Sequence, residues 1–139
     1  MHAKTYIAKP IVAASLKGEL VVVKGQLSFY GDIDPEKGLL KLNSKTISIK
    51  GKILAFPYSS GSTVGSYIIF RMKKLGTNPK AIITLRAEPI VIIGCLIAGI
   101  PLLHKVNPRF FTENSTGYFV NIKTVNEKTI IETFPGEPL

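Results

Sequence analysis

The sequence predicts a mixed α/β domain: a strand-rich core that carries two main helices on one side. Three observations predict it. Residues 19–24 (ELVVVK) and 81–86 (AIITLR) are β-branched and apolar runs of strand length. Residues 53–75 (ILAFPYSSGSTVGSYIIFRMKKL) read as strand, Gly/Ser loop and helix. Residues 117–125 (GYFVNIKTV) and 128–134 (KTIIETF) alternate apolar and polar on either side of Asn126-Glu127, the signature of a hairpin.

Taken in order, residues 4–16 alternate poorly and are interrupted at Lys9-Pro10, so strand character is expected at 10–16. Gly18 reads as a turn. The strand at 19–24 continues loosely through 25–30. Residues 31–38 (GDIDPEKG) are dense turn chemistry. Asp32 and Asp34 within it lack the acidic spacing of a calcium loop, and a turn is the better reading. Short extended pieces are expected at 39–42, 46–50 and 52–56, separated by Asn43-Ser44 and Gly51.

The stretch that organises the chain follows. Pro57 and Tyr58 stop the strand, and the small residues Ser59, Ser60, Gly61, Ser62 and Thr63 let the backbone turn tightly. A helix is expected over 63–75, with Tyr67, Ile68, Phe70, Met72 and Leu75 interleaved with Arg71, Lys73 and Lys74. Ser62 or Thr63 suits its N-cap, the cations suit its C-terminal end, and Gly76 stops it. After a loop at 76–79 comes the strand at 81–86. A short apolar helix over 89–98 then opens with Pro89 and closes at Gly99, and a short strand is expected at 100–106. The order strand, helix, strand, helix, strand describes a small βαβ arrangement.

Composition narrows the function. A chain of 139 residues with 45% apolar content is one domain, 1–139, with room for a real core. Its longest apolar stretch, residues 89–103, is interrupted by Gly94, Gly99 and Pro101 and falls short of the roughly 20 residues a membrane span needs. The opening MHAKTYIAKP has no apolar leader, and a cytoplasmic location is expected. Cys95 is the only cysteine, which excludes an internal disulfide and a metal site built from this chain's thiolates. His2 and His104 lack ligand spacing. The formal charge of +9 comes mainly from 15 lysines scattered from Lys4 to Lys128, a distribution that suits an acidic partner or an anionic substrate better than a nucleic-acid face.

A helix N-terminus with free N–H groups is a ready anion site, and hydroxyls held there are candidates for chemistry. The loop at 59–63 matches neither GxxxxGK[ST] nor GxGxxG, and Ser62 is not in a GxSxG elbow.

Three blocks in order carry a resemblance: LSFYGDIDPEKG (27–38), GKILAFPYSSGSTVGSY (51–67) and AEPIVIIGCLIAGIPL (87–102). Together they resemble the aconitase X swivel domain, most closely over 18–106. The resemblance implies a swivelling three-layer β/β/α fold. It also implies a larger partner subunit, in a heterodimer, that holds a 4Fe-4S iron–sulfur cluster, with the active site between the two chains. For the separate-chain archaeal form it implies removal of water from 5-phosphomevalonate, a phosphorylated hydroxy acid of the mevalonate route to isoprenoids, by a hydro-lyase whose small subunit is inactive alone. Ser62 would be the proton acceptor, with Gly61 and Thr63 beside it against the substrate.

The chemistry is coherent. Dehydrating a β-hydroxy acid takes a base for the α-proton and a Lewis acid for the departing hydroxyl, and an iron with an open position can supply the second. A cluster takes several thiolates, so here it belongs to another polypeptide. A serine hydroxyl, about as weakly acidic as water, serves as a base only where its alkoxide is stabilised, as at a helix N-terminus. Within the same family, a cis-3-hydroxyproline dehydratase small subunit is the alternative. From another class, a basic β-rich nucleic-acid-binding module would use Phe29, Tyr30, Phe110 and Phe111 as an exposed stacking platform. In the blandest reading the Gly/Ser loop merely caps a helix.

Overall fold

Residues 53–56 and 81–84 are buried at every position, which a strand achieves only when both of its faces are covered. The computed structural model, which describes residues 3–60 and 63–136, provides the two covers. In chain order it contains strands β1 (Lys4–Val12), β2 (Leu16–Val22) and β3 (Gln26–Leu27), then helix α1 (Phe29–Asp32). Strands β4 (Ile33–Asp34), β5 (Leu39–Leu42), β6 (Lys45–Ser48), β7 (Ile53–Phe56) and β8 (Tyr58–Ser59) come next. Helix α2 (Val64–Leu75), β9 (Ala81–Thr84), α3 (Pro89–Ala98) and β10 (Leu102–His104) form the middle of the chain. A short α4 (Phe110–Glu113) precedes the hairpin β11 (Phe119–Val125) and β12 (Lys128–Phe134).

The strands close into a barrel in the order β1-β10-β9-β7-β2-β11-β12. Strands β10, β9, β7 and β2 run parallel, joined by the crossovers β7-α2-β9 and β9-α3-β10. The other neighbours are antiparallel. Successive residues of the parallel strands point to opposite faces. Leu20, Ile53, Ala55, Ile83 and Leu103 turn into the barrel, where they meet Tyr6, Ile122, Ile131 and the α4 residues Phe110 and Phe111. Val21, Leu54, Phe56, Ile82 and Leu102 turn outward, under Ile68, Ile69 and Met72 of α2 and Val91 and Cys95 of α3. Two sides of the barrel and the helix pair make the three layers, β/β/α.

Local chemistry explains the boundaries. Gly76, at φ 73°, takes the left-handed turn that ends α2: its N–H bonds Lys73 O at 3.2 Å and the Thr77 N–H bonds Met72 O at 2.9 Å, satisfying two carbonyls of the last turn. Pro89 opens α3 at a position whose N–H would be unused.

The structure differs from the sequence expectation in several places. Gly18, read as a turn, lies inside β2 opposite Val120, because that strand begins at Leu16. The first strand spans Lys4–Val12 rather than 10–16. It tolerates Pro10 because β1 leaves β12 after Ala8 and pairs with β10 instead, with a register shift between Pro10 and Val12. The loose continuation at 25–30 is instead β3 and the single turn α1, capped by Ser28: Gly31 N donates to Ser28 Oγ at 3.0 Å, and Ser28 N donates to Asp32 Oδ2 at 2.8 Å. The strands expected at 81–86 and 100–106 are shorter. Helix α4 lies where no helix was expected.

Candidate functional site

In a parallel α/β arrangement, ligands bind at the edge where the carboxyl ends of the strands meet the amino ends of the helices. Here that edge carries the segments after β2, β7, β9 and β10. The ladder between β2 and β7 extends through Val23 N to Ala55 O at 2.8 Å, bends, and resumes as the parallel pair of β3 and β8. Ser60 N then bonds Leu27 O at 2.9 Å, so the backbone is anchored up to the residue before Gly61.

A second anchor comes from β9. The buried Thr84 hydroxyl lies 3.2 Å from Pro57 O, and the Arg86 N–H reaches the same oxygen at 3.3 Å. The chain at Pro57 and the segment after Thr84 therefore leave the sheet side by side. Arg86 is exposed, and among the described residues neither its guanidinium nor the Glu88 carboxylate has a partner. Ser59 is buried, with a hydroxyl that meets no partner among the described residues. Sequence reasoning left Arg86 and Glu88 without a role, because only the strand order brings this segment beside Pro57.

Of the candidate residues, Ser62 and Gly61 lie outside the described residues. Thr63 sits exposed at the N-cap position of α2, but its backbone is already helical (φ −61°, ψ −22°) and its side chain makes no capping bond. The expectation that Thr63 caps through its hydroxyl is therefore corrected; its carbonyl instead accepts from Ser66 Oγ at 3.3 Å.

The aspartates of the turn serve structure. Asp32 closes the α1 cap, and Asp34 Oδ1 accepts from Glu36 N at 3.0 Å. Cys95 is fully buried between α3 and the sheet, and burial pushes its thiol up to about 12. No group of three or more His, Cys, Asp or Glu converges among the described residues. With about four thiolates needed per cluster, the residues of this chain do not fit an iron–sulfur group. The stacking platform of the nucleic-acid alternative is also overturned: Phe29, Phe110 and Phe111 are buried, and only Tyr30 is exposed. No helix among the described residues is long and apolar enough to cross a membrane.

Comparison with known proteins agrees with this geometry. A protein named phosphomevalonate dehydratase small subunit from Aeropyrum pernix is 42% identical over 139 residues, 99% of this chain and 100% of that one. One of the same name from Pyrococcus furiosus is 52% identical over 96 residues, 67% of this chain and 72% of that one. The crystal structure of Thermococcus kodakaraensis aconitase X in its holo-form superposes with a TM-score of 0.82 at 37% identity, covering 92% of this chain and 98% of that one. A family model for the aconitase X swivel domain matches residues 5–133, and the chain belongs to that family.

Proposed function

We propose that this chain is the small subunit of a hydro-lyase that dehydrates 5-phosphomevalonate to its trans-anhydro phosphate, acting in the cytoplasm as one half of a heterodimer. The observation that carries the reading is the full-length similarity to relatives named phosphomevalonate dehydratase small subunit. The large subunit holds the iron–sulfur cluster, since the residues of this chain do not fit one.

This chain contributes the base. Ser62 stands two positions before the first residue of α2 in the sequence. Its oxygen takes the proton from the carbon beside the substrate carboxylate, and the positive end of the helix dipole stabilises the charged form of that oxygen. Gly61 lets the backbone approach the substrate, and Thr63 offers a neighbouring hydroxyl. Arg86, unpaired at the same edge, supplies positive charge for an anionic substrate.

The test is kcat of the reconstituted complex beside a thermal melt. Ser62→Ala should lower kcat by roughly 10²–10⁴-fold and leave the melting temperature almost unchanged. Ser60→Ala and Ser66→Ala should keep near-normal kcat. If Ser62→Ala retains more than a tenth of wild-type kcat, the base assignment is wrong and Thr63 is the next hydroxyl to test.

A further inference from the structure

Helix α3 (PIVIIGCLIA) is apolar on every side, a pattern that belongs to a helix covered all round. Only one side of it is covered here. Val91, Cys95 and Ala98 pack inward, while Ile93, Leu96 and Ile97 face outward, with Leu96 and Ile97 56% and 67% exposed. Helix α2 lies alongside in step: a Cβ at Gly65 would stand 3.2 Å from Ile90 Cγ2, and one at Gly94 would stand 3.2 Å from Ser66 Cα. Tyr67, 57% exposed, and Phe70 therefore flank the same open face. Between the helices runs a groove of about 260 Å³ lined by Ser66, Tyr67, Phe70, Gly94 and Ile97. Aromatic and aliphatic anchors beside a groove are the composition of an interface centre.

We propose that the outer face of α2 and α3 is the surface on which the large subunit docks, through an apolar ridge seated in the groove and acidic residues at its rim. The occupant follows from charge. At the C-terminal end of α2 the exposed Lys73 and Lys74 border the face, α3 contributes no charged residue to it, and the chain as a whole carries +9. Two copies meeting here would bring like charges together, whereas an acidic rim complements them. Position agrees: both helices start at the edge that carries Thr63 and Glu88, so a chain lying along them also reaches the exposed Arg86. The proposal rests on the proposed function for the existence of a large subunit and for a site at that edge.

The test measures the dissociation constant between this chain and the large subunit of the same organism, with the oligomeric state and thermal melt of this chain alone. Ile97→Glu and Leu96→Glu place a carboxylate on an already exposed position, so the melt should be unchanged while association weakens at least about 30-fold. Val125→Glu, at an exposed position on the hairpin, should associate like wild type. Unchanged association of both helix variants overturns the proposal. So does a wild-type chain that self-associates through this face and becomes monomeric on Ile97→Glu. The two readings separate cleanly: a complex that turns over phosphomevalonate yet ignores Ile97→Glu refutes the docking face alone. One that is disrupted by Ile97→Glu yet never turns over phosphomevalonate refutes the substrate alone.

Discussion

The Thr84 hydroxyl stands 3.2 Å from the Pro57 carbonyl oxygen, joining the end of one parallel strand to the residue at which its neighbour turns into the Gly/Ser loop. Because Thr84 has no exposed surface, water does not replace that bond when it is lost. Thr84→Val keeps the shape and removes the hydroxyl, so the expected stability loss is about 1–2 kcal/mol. The larger effect should be on catalysis by the complex, because a loop that shifts by a fraction of an ångström misplaces its groups; a loss of kcat on the order of tenfold to a hundredfold is expected. Thr84→Ser should restore most of it. Wild-type kcat in Thr84→Val would mean the loop is positioned from elsewhere.

Gly94 decides how closely α2 and α3 approach. An added Cβ would meet Ile69 Cδ1 at 3.0 Å and the backbone Cα of Ser66 at 3.2 Å; the first can swing away, the second cannot. Gly94→Ala gains about 1 kcal/mol of helix propensity, but forcing the helices apart costs roughly 1–3 kcal/mol. A net loss is expected, and Gly94→Val should lose more. Denaturant titration of the three proteins checks the order; a stabilised Gly94→Ala would show that the helix pair yields.

His104 introduces a pH dependence. Burial disfavours its imidazolium, and Lys105 and Lys9 add positive charge nearby, so its pKa lies below the ordinary 6.5. The unfolded chain then takes the proton more readily than the folded one. Stability is full above about pH 6.5 and is lost as pH falls below it toward the folded-state value. The effect is small, because the ring is only partly buried. His104→Gln should flatten this part of the profile of melting temperature against pH between 7.5 and 5.5. Parallel profiles for the two proteins would show that another group carries the loss.

The parts of the fold legible in the sequence are those where burial is symmetrical or strictly alternating. Strands β7 and β9 are covered on both faces and so appear as unbroken apolar runs, and the hairpin of β11 and β12 alternates because one face meets solvent. Gly76 and Pro89 mark helix ends by backbone chemistry that no tertiary contact alters. Strand β1 was illegible because it changes partners midway, leaving Lys9, Pro10, Ile11 and Val12 without a clean inside and outside. Helix α1 is one turn long, too short for any period; its sign was the Ser28 and Asp32 pair, which also reads as a turn.

The candidate site divides in the same way. The Gly/Ser loop is a local feature of the sequence, whereas the bond from Arg86 N to Pro57 O depends on β9 lying beside β7. The outward face of α3 had no signal of its own, since a helix apolar on all sides does not announce which side is left uncovered.

Closure of the barrel governs how this chain comes to be folded. Tyr6 pairs with Ile131, and Lys17 with Asn121, so the first two strands find neighbours in the last to be synthesised. Contacts so distant along the chain close slowly, because the entropy of a long loop is lost before the pairing compensates it. During synthesis the middle of the chain can assemble its local strand and helix units, while β1 and β2 each keep an open hydrogen-bonding edge until the hairpin emerges. Such edges pair with other chains when left waiting. The hairpin of β11 and β12 thus acts as a clasp, and its arrival separates a nascent chain prone to association from one whose barrel is closed.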